Sequence, residues 1–206
     1  MYLTKFSLDP RHPSVRQCLR DCHDMHRTVM KAFPDSVDRL GGSVLFRLMT
    51  PKNESPVLYL SSSLEPDASR LEENGFRALA VREISALRQA FVSGSCWRFD
   101  LLVCPSKKIQ IEGRRNSPRV CLYRPEEQDI WMQNKADQNG YRLLSYTANG
   151  QSRIYGRRGG VPLTFSAFRF CGLLRITDAQ KLWDGYCHGI GPERAYGMGM
   201  LMLTRP

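Results

Sequence analysis

Acidic side chains, histidines and long apolar runs are all in short supply in this 206-residue chain. Only 20 Asp and Glu stand against 30 Lys and Arg, and the formal net charge of +10 points to a polyanionic partner, because lysine and arginine clusters bind phosphate backbones. No apolar stretch approaches the roughly 20 residues that span a bilayer, which argues against a transmembrane protein. Met1–Phe6 also lacks the basic-then-apolar pattern of a secretory signal. An anionic membrane surface is the lesser candidate, since no basic amphipathic helix dominates. The seven cysteines are odd in number, irregularly spaced and include no Cys-x-x-Cys pair. Free thiols in a reducing, cytoplasmic compartment are therefore expected. Carboxylates nowhere form the paired cluster of a metal-dependent nuclease. No low-complexity segment interrupts the chain.

Glycine, by contrast, is concentrated near the C-terminus, in Gly189-Ile190-Gly191-Pro192-Glu193-Arg194-Ala195-Tyr196-Gly197-Met198-Gly199, just before the apolar Met200–Leu203. Without a Cβ, such a loop lets backbone amides turn toward a ligand at close range. A dinucleotide fingerprint runs strand, glycines, helix, and a Walker loop ends in Gly-Lys-Ser/Thr. Here the order is helix, glycines, strand, with no such lysine, so neither nucleotide site fits. A plain glycine-rich turn closing a helix would have the same composition.

Periodicity supplies the architecture. Tyr2–Leu8 alternates as a strand, and from Pro13 an apolar stripe through Val15, Cys18, Leu19, Cys22, Met25, Val29 and Phe33 predicts a helix that breaks and restarts near Asp21. Strands are expected over Val44–Met49, Val57–Ser61 and Phe76–Ile84, with a short helix over Asp67–Asn74. The second half repeats the order. Its strand over Trp97–Cys104 and helix over Pro125–Gln138 precede strands within Tyr141–Thr147 and Leu163–Ile176, a helix capped by Asp178 and a terminal strand. Two β-α-β-β-α-β units make an α+β chain of two tandem ferredoxin-like domains, residues 1–92 and 96–206. Neither half carries the aromatic signature of an RRM sheet, so binding should run through loops and the groove between the domains.

Of the four histidines, His23 and His26 share a helical face with Arg27. Two imidazoles, ordinarily titrating at about 6.5, beside a guanidinium can move protons next to a phosphate. If the helix restarts at Asp21, both lie at its positive end, which favours an anion. The same periodicity would equally place His26 in the core as a packed, hydrogen-bonded residue. Cys18, Cys22 and His26 also fall at i, i+4 and i+8, with His23 nearby. The outer two lie about 12 Å apart along a helix, too far for one ion, so no metal or other cofactor is expected. Basic side chains gather in two loop-like places: Lys107 and Lys108 with Arg114 and Arg115, and Arg157 and Arg158 in a hairpin tip over Arg153–Gly160. Arginines beside glycines can enter a nucleic-acid groove or clasp its backbone.

Together, Met25-His26-Arg27-Thr28, the segment Phe99–Lys107 and the glycine-rich ending Gly189–Leu201 resemble the CasE family, the CRISPR repeat-processing endoribonucleases of type I-E systems. The resemblance spans nearly the whole chain. It implies tandem ferredoxin-like domains, metal-independent cleavage of precursor CRISPR RNA in each repeat hairpin, retention of the product and membership of a multisubunit surveillance complex. The family's catalytic histidine carries over to His26, and its phosphate-contacting loop to Gly189, Gly191, Gly197 and Gly199. Relatives often have tyrosine three residues before that histidine, where this chain has His23, and the mid-chain asparagine is Cys104 here. His23 is the expected catalytic partner, and Arg27 and Lys31 are expected near the RNA. A non-catalytic RNA-binding subunit of the same ribonucleoprotein is the alternative.

Overall fold

The computed structural model describes residues 1–35, 43–109 and 118–206. The chain begins with β1 (Tyr2–Leu8), whose alternation buries Thr4, Phe6 and Leu8 on one side of a sheet. Two short helices follow, α1 (Pro13–Arg20) and α2 (Cys22–Met30). Asp21 separates them in an extended conformation (φ −132°, ψ 112°). Its amide closes α1 on Gln17, and its carboxylate starts α2 by accepting from the amides of His23 and Asp24 at 2.8 and 3.2 Å. One residue thus serves as the end of one helix and the cap of the next.

β2 (Val44–Met49), β3 (Val57–Ser62), α3 (Ser69–Glu72) and β4 (Phe76–Glu83) complete the first unit. A one-turn α4 (Leu87–Ala90), not expected from the sequence, leads to β5 (Cys96–Val103). β6 (Ser106–Lys108) then pairs with β7 (Arg119–Cys121), followed by α5 (Pro125–Gln138), β8 (Tyr141–Arg158), β9 (Val161–Ile176), α6 (Ala179–His188) and β10 (Leu201–Thr204). The two four-stranded sheets have the orders β2-β3-β1-β4 and β10-β5-β9-β8. Counted within each unit, both read 2-3-1-4 from one edge or the other, the ferredoxin-like arrangement expected from the repeat. Phe6, Met25, Leu58 and Phe76 lie in one core; Trp97, Leu101, Met132, Phe170 and Leu182 lie in the other.

Three expectations need correction. The stretch after β5 is not simply loop: Lys107 and Lys108 belong to a strand laddered to β7. The helix expected over 67–74 contracts to Ser69–Glu72. The strand expected to end at Thr147 runs on to Arg158, so the predicted tip shrinks to Gly159-Gly160 and Arg157 and Arg158 become strand residues. Polar residues 147–153 look like a turn, yet a ladder needs only a backbone partner, and β9 supplies one throughout apart from two register shifts. At about 3.3 Å per residue the hairpin reaches roughly 55 Å. Among the described residues no helix is long and apolar enough to cross a membrane, and all seven cysteines are free.

An ion triad joins the two sheets. Arg47 on β2 is buried and contacts Asp100 of β5 at 3.3 Å, while Arg169 on β9 embraces the same carboxylate through Nε and Nη2. Burial pulls the Arg47 guanidinium below its usual range and Asp100 opposes that, because removal from water penalises charge and a counter-charge restores it. The two arginines border a cavity of about 620 Å³ between the sheets, which Lys5 and Tyr59 also line. Asp100→Ala should leave Arg47 buried without a counter-charge and cost about 3 kcal/mol. Arg47→Met should cost much less, and urea denaturation of the two variants checks the order.

Candidate active site

The Asp21 cap decides where the two histidines stand. By starting a new helix there, it places His23 and His26 in the opening turns of α2. Both are half-buried, with ring centroids 6.2 Å apart and planes inclined by 30°. The alternative left open by periodicity, His26 packed deep in the core, is therefore not what the fold adopts. His26 opens onto a cavity of about 240 Å³, walled also by Ser43, His188, Arg194 and Ala195. The positive end of α2 is not an open anion site, because the Asp21 carboxylate already occupies the His23 and Asp24 amides. Cys18 and Cys22 are packing thiols. Cys18 bonds Thr28 within the core, and burial beside Asp21 pushes the Cys22 thiol up to about 11.

The far wall comes from the glycine-rich loop. α6 ends at Gly189, Glu193 adopts the left-handed conformation (φ 61°), and Arg194–Tyr196 form one tight turn before left-handed Gly197 (φ 82°). Gly197 lies against the first unit: a Cβ there would stand 2.9 Å from the ring of Phe46 on β2. That close seating delivers Tyr196 to the histidines. Its ring centroid lies 6.3 Å from His23 and 6.2 Å from His26, and its other side stacks on Phe165 at 5.1 Å.

The remaining loop glycines are also occupied within the fold. Gly189 donates its amide to Gly185 and Gly199 to Leu102, at 2.9 and 2.7 Å, and Gly191 lies against the Trp131 ring. Their spacing builds the loop; the amides of Gly189 and Gly199 already have carbonyl partners. Arg194 donates to the His188 carbonyl at 2.6 Å. His188 in turn engages the Asp184 carbonyl through Nδ1, at 2.9 Å, which leaves Nε2 as its other polar atom.

The other expected residues are dispersed. Arg27 is 70% exposed and loosely paired with Asp24 at 3.8 Å. Lys31 reaches Asn74 at 3.2 Å and lines a separate cavity with Phe33, Ser69 and Arg70. Lys107 pairs with Glu127 at 2.9 Å beside exposed Lys108. Arg157 and Arg158 are exposed beside the hairpin tip. Arg114 and Arg115 lie outside the described residues. Sequence reasoning missed Tyr196, His188 and Arg194. The available signals were the scarcity of histidine, with His188 directly before the loop, and the single aromatic within it.

The long hairpin also touches α2. At Gly156 of β8 a Cβ would stand 2.7 Å from the Cys22 sulfur, 2.8 Å from the Asp21 carboxylate and 3.1 Å from the His23 amide. The second unit therefore packs directly on the cap that sets the histidines. His26, His188 and Arg194 line one cavity, and the Tyr196 ring packs against His23 and His26 beside it; imidazoles next to a phenol and a guanidinium suit proton transfer at a phosphodiester.

Comparison with known proteins agrees with this chemistry. The family model described as "CRISPR associated protein" matches residues 1–205. The CRISPR-associated endoribonuclease Cse3 of Thermus thermophilus is 28% identical over 217 residues, covering 99% of this chain and 100% of that protein. A structure of CRISPR endoribonuclease Cse3 bound to 19-nucleotide RNA superposes with a TM-score of 0.88 at 28% identity, covering 99% of this chain and 100% of that one. A chain of a CRISPR RNA-guided surveillance complex matches with a TM-score of 0.69 at 25% identity and full coverage of both.

Gly156→Ala should overpack the hairpin against α2, lowering stability by about 1–3 kcal/mol and slowing catalysis more than it weakens RNA binding; melting and single-turnover cleavage read the two effects. Glu193 offers a pH test. Burial pushes its carboxyl up, with Arg119 opposing, so the folded state holds the Glu193 proton more tightly than the unfolded chain does. The ionised form then destabilises the fold above the folded pKa, and the difference vanishes below the unfolded one. Glu193→Gln should accordingly raise the melting temperature at pH 7, with a gain that shrinks as pH falls through the carboxylate range.

Proposed function

Since the chain belongs to the CRISPR-associated protein family, we propose that it is an endoribonuclease that cuts precursor CRISPR RNA within each repeat hairpin. One observation carries this reading: His26, half-buried beside His23, opens onto a cavity whose opposite wall is the glycine-rich loop. The similar proteins supply the substrate class, since one is an endoribonuclease and another is held on RNA.

The reaction is an attack of the ribose 2′-oxygen on the adjacent phosphorus. A 2′-O–P bond forms, the P–O5′ bond breaks, and the products carry a 2′,3′-cyclic phosphate and a 5′-hydroxyl. One proton leaves the 2′-oxygen and one arrives at O5′. The His23–His26 pair can serve both transfers, with His26 at the centre and acid–base assistance contributing roughly 10²–10⁴-fold. The nucleophile is already in the substrate, so alignment replaces recruitment, and no metal is assigned a step. Arg27, exposed on α2, is the nearer phosphate contact, and Lys31, turned toward Asn74, meets the RNA away from the histidines. Lys107 and Lys108, with Arg114 and Arg115, and Arg157 and Arg158 grip the stem backbone, because A-form RNA hides its bases in a deep major groove.

Residues 1–92 are the domain carrying the histidines and 96–206 the domain carrying the hairpin and loop. After cleavage the protein stays on the hairpin as a subunit of the type I-E surveillance complex, as the likeness to a surveillance-complex chain supports. Its free cysteines suit the reducing cytoplasm.

A repeat hairpin with deoxyribose 5′ to the scissile bond should bind within about twofold of the all-RNA hairpin and remain uncut, and EDTA should leave the all-RNA rate unchanged. His26→Ala should bind normally and cleave about 10²–10⁴-fold more slowly. Cleavage of the deoxy hairpin sinks the mechanism. No cleavage by the unmodified protein makes it a passive RNA-binding subunit.

A further inference from the structure

The three rings of His23, His26 and Tyr196 form a nearly equilateral triangle, with centroid separations of 6.2, 6.3 and 6.2 Å. The third corner comes from the opposite end of the chain and is held more firmly than a surface tyrosine needs to be. Tyr196 stacks on Phe165 with planes inclined by only 22°. Its turn is bracketed by left-handed Glu193 and Gly197, and Gly197 is seated on Phe46. Stacking, backbone turn and inter-unit contact thus all fix one ring. Such over-determination fits a group required in place before substrate arrives. Tyr196 is half-buried, so the ring also keeps an open side.

We propose that Tyr196 is a catalytic residue of the cleavage reaction, its phenol donating a hydrogen bond to a non-bridging oxygen of the scissile phosphate. The assignment rests on the endoribonuclease reading above. Imidazoles exchange protons readily near neutrality, whereas a phenol keeps its proton and acts as a donor. The corners therefore divide the labour: the imidazoles move the protons at the 2′-oxygen and O5′, and Tyr196 stabilises the charge that builds between them. The Tyr196 proton stays on the phenol oxygen throughout, and the bonds made and broken are those of the transesterification alone.

Tyr196→Phe tests this in the full-length protein, because it deletes one oxygen and keeps the stack on Phe165. The substrate is a repeat hairpin, cut under single-turnover conditions, with the scissile bond located from the wild-type product ends. Loss of one preorganised donor predicts a rate about 10²-fold lower with RNA affinity within about twofold. Sulfur accepts hydrogen bonds poorly, so the Tyr196→Phe penalty should shrink on one diastereomer of a phosphorothioate at that bond. A structural defect would slow the phosphate and both thio substrates equally. A Tyr196→Phe rate within twofold of wild type, or an equal penalty on all three substrates, overturns the assignment while leaving the enzyme reading intact. Absence of cleavage by the wild-type protein overturns the enzyme reading itself.

Discussion

The seat of the glycine-rich loop on β2, where Gly197 meets the Phe46 ring with no room for a Cβ, is the contact on which the site depends. α2 presents its histidines from the first unit, and the second unit brings Tyr196, His188 and Arg194 to them. A side chain at position 197 would lift the turn away from β2 and carry Tyr196 and Arg194 with it. Left-handed φ and close approach coincide at Gly197, and glycine is the residue that satisfies both.

The second unit holds the first at two further places. At the hairpin, Gly156 of β8 abuts the Asp21 cap and the start of α2. At the sheets, buried Arg47 reaches across to Asp100, itself embraced by Arg169. The cap contact works by shape and the ion triad by charge. A buried guanidinium tolerates few positions for its counter-ion, so the triad favours one relative placement of the sheets. The geometry of the candidate site is a property of the docked pair of units, and both contribute to the cavity wall.

The helix break at Asp21 was legible because capping is local: an aspartate reaches the amides two and three residues on, and the apolar stripe either side of it is short-range information. The β-α-β-β-α-β repeat was legible for the same reason, as was the candidacy of His26 and His23. The extension of β8 past Thr147 was not, because a polar strand on an exposed hairpin has no hydrophobic alternation to mark it. Lys31 was expected near the RNA from the resemblance alone, and the end of α2 turns it toward Asn74, just past α3.

Sequence alone determined the two ferredoxin-like units, the positive charge, the free thiols and the pair of imidazoles at a helix start. Those features depend on composition and on contacts within a few residues. The tertiary structure alone decided that His26 faces a cavity rather than a core, that His188 and Arg194 border it, and that Tyr196 completes a triangle with His23 and His26. Residues some 170 positions apart meet only because the glycine loop, the hairpin and the Arg47–Asp100 contact dock one unit on the other, and no periodicity in a linear chain encodes that docking.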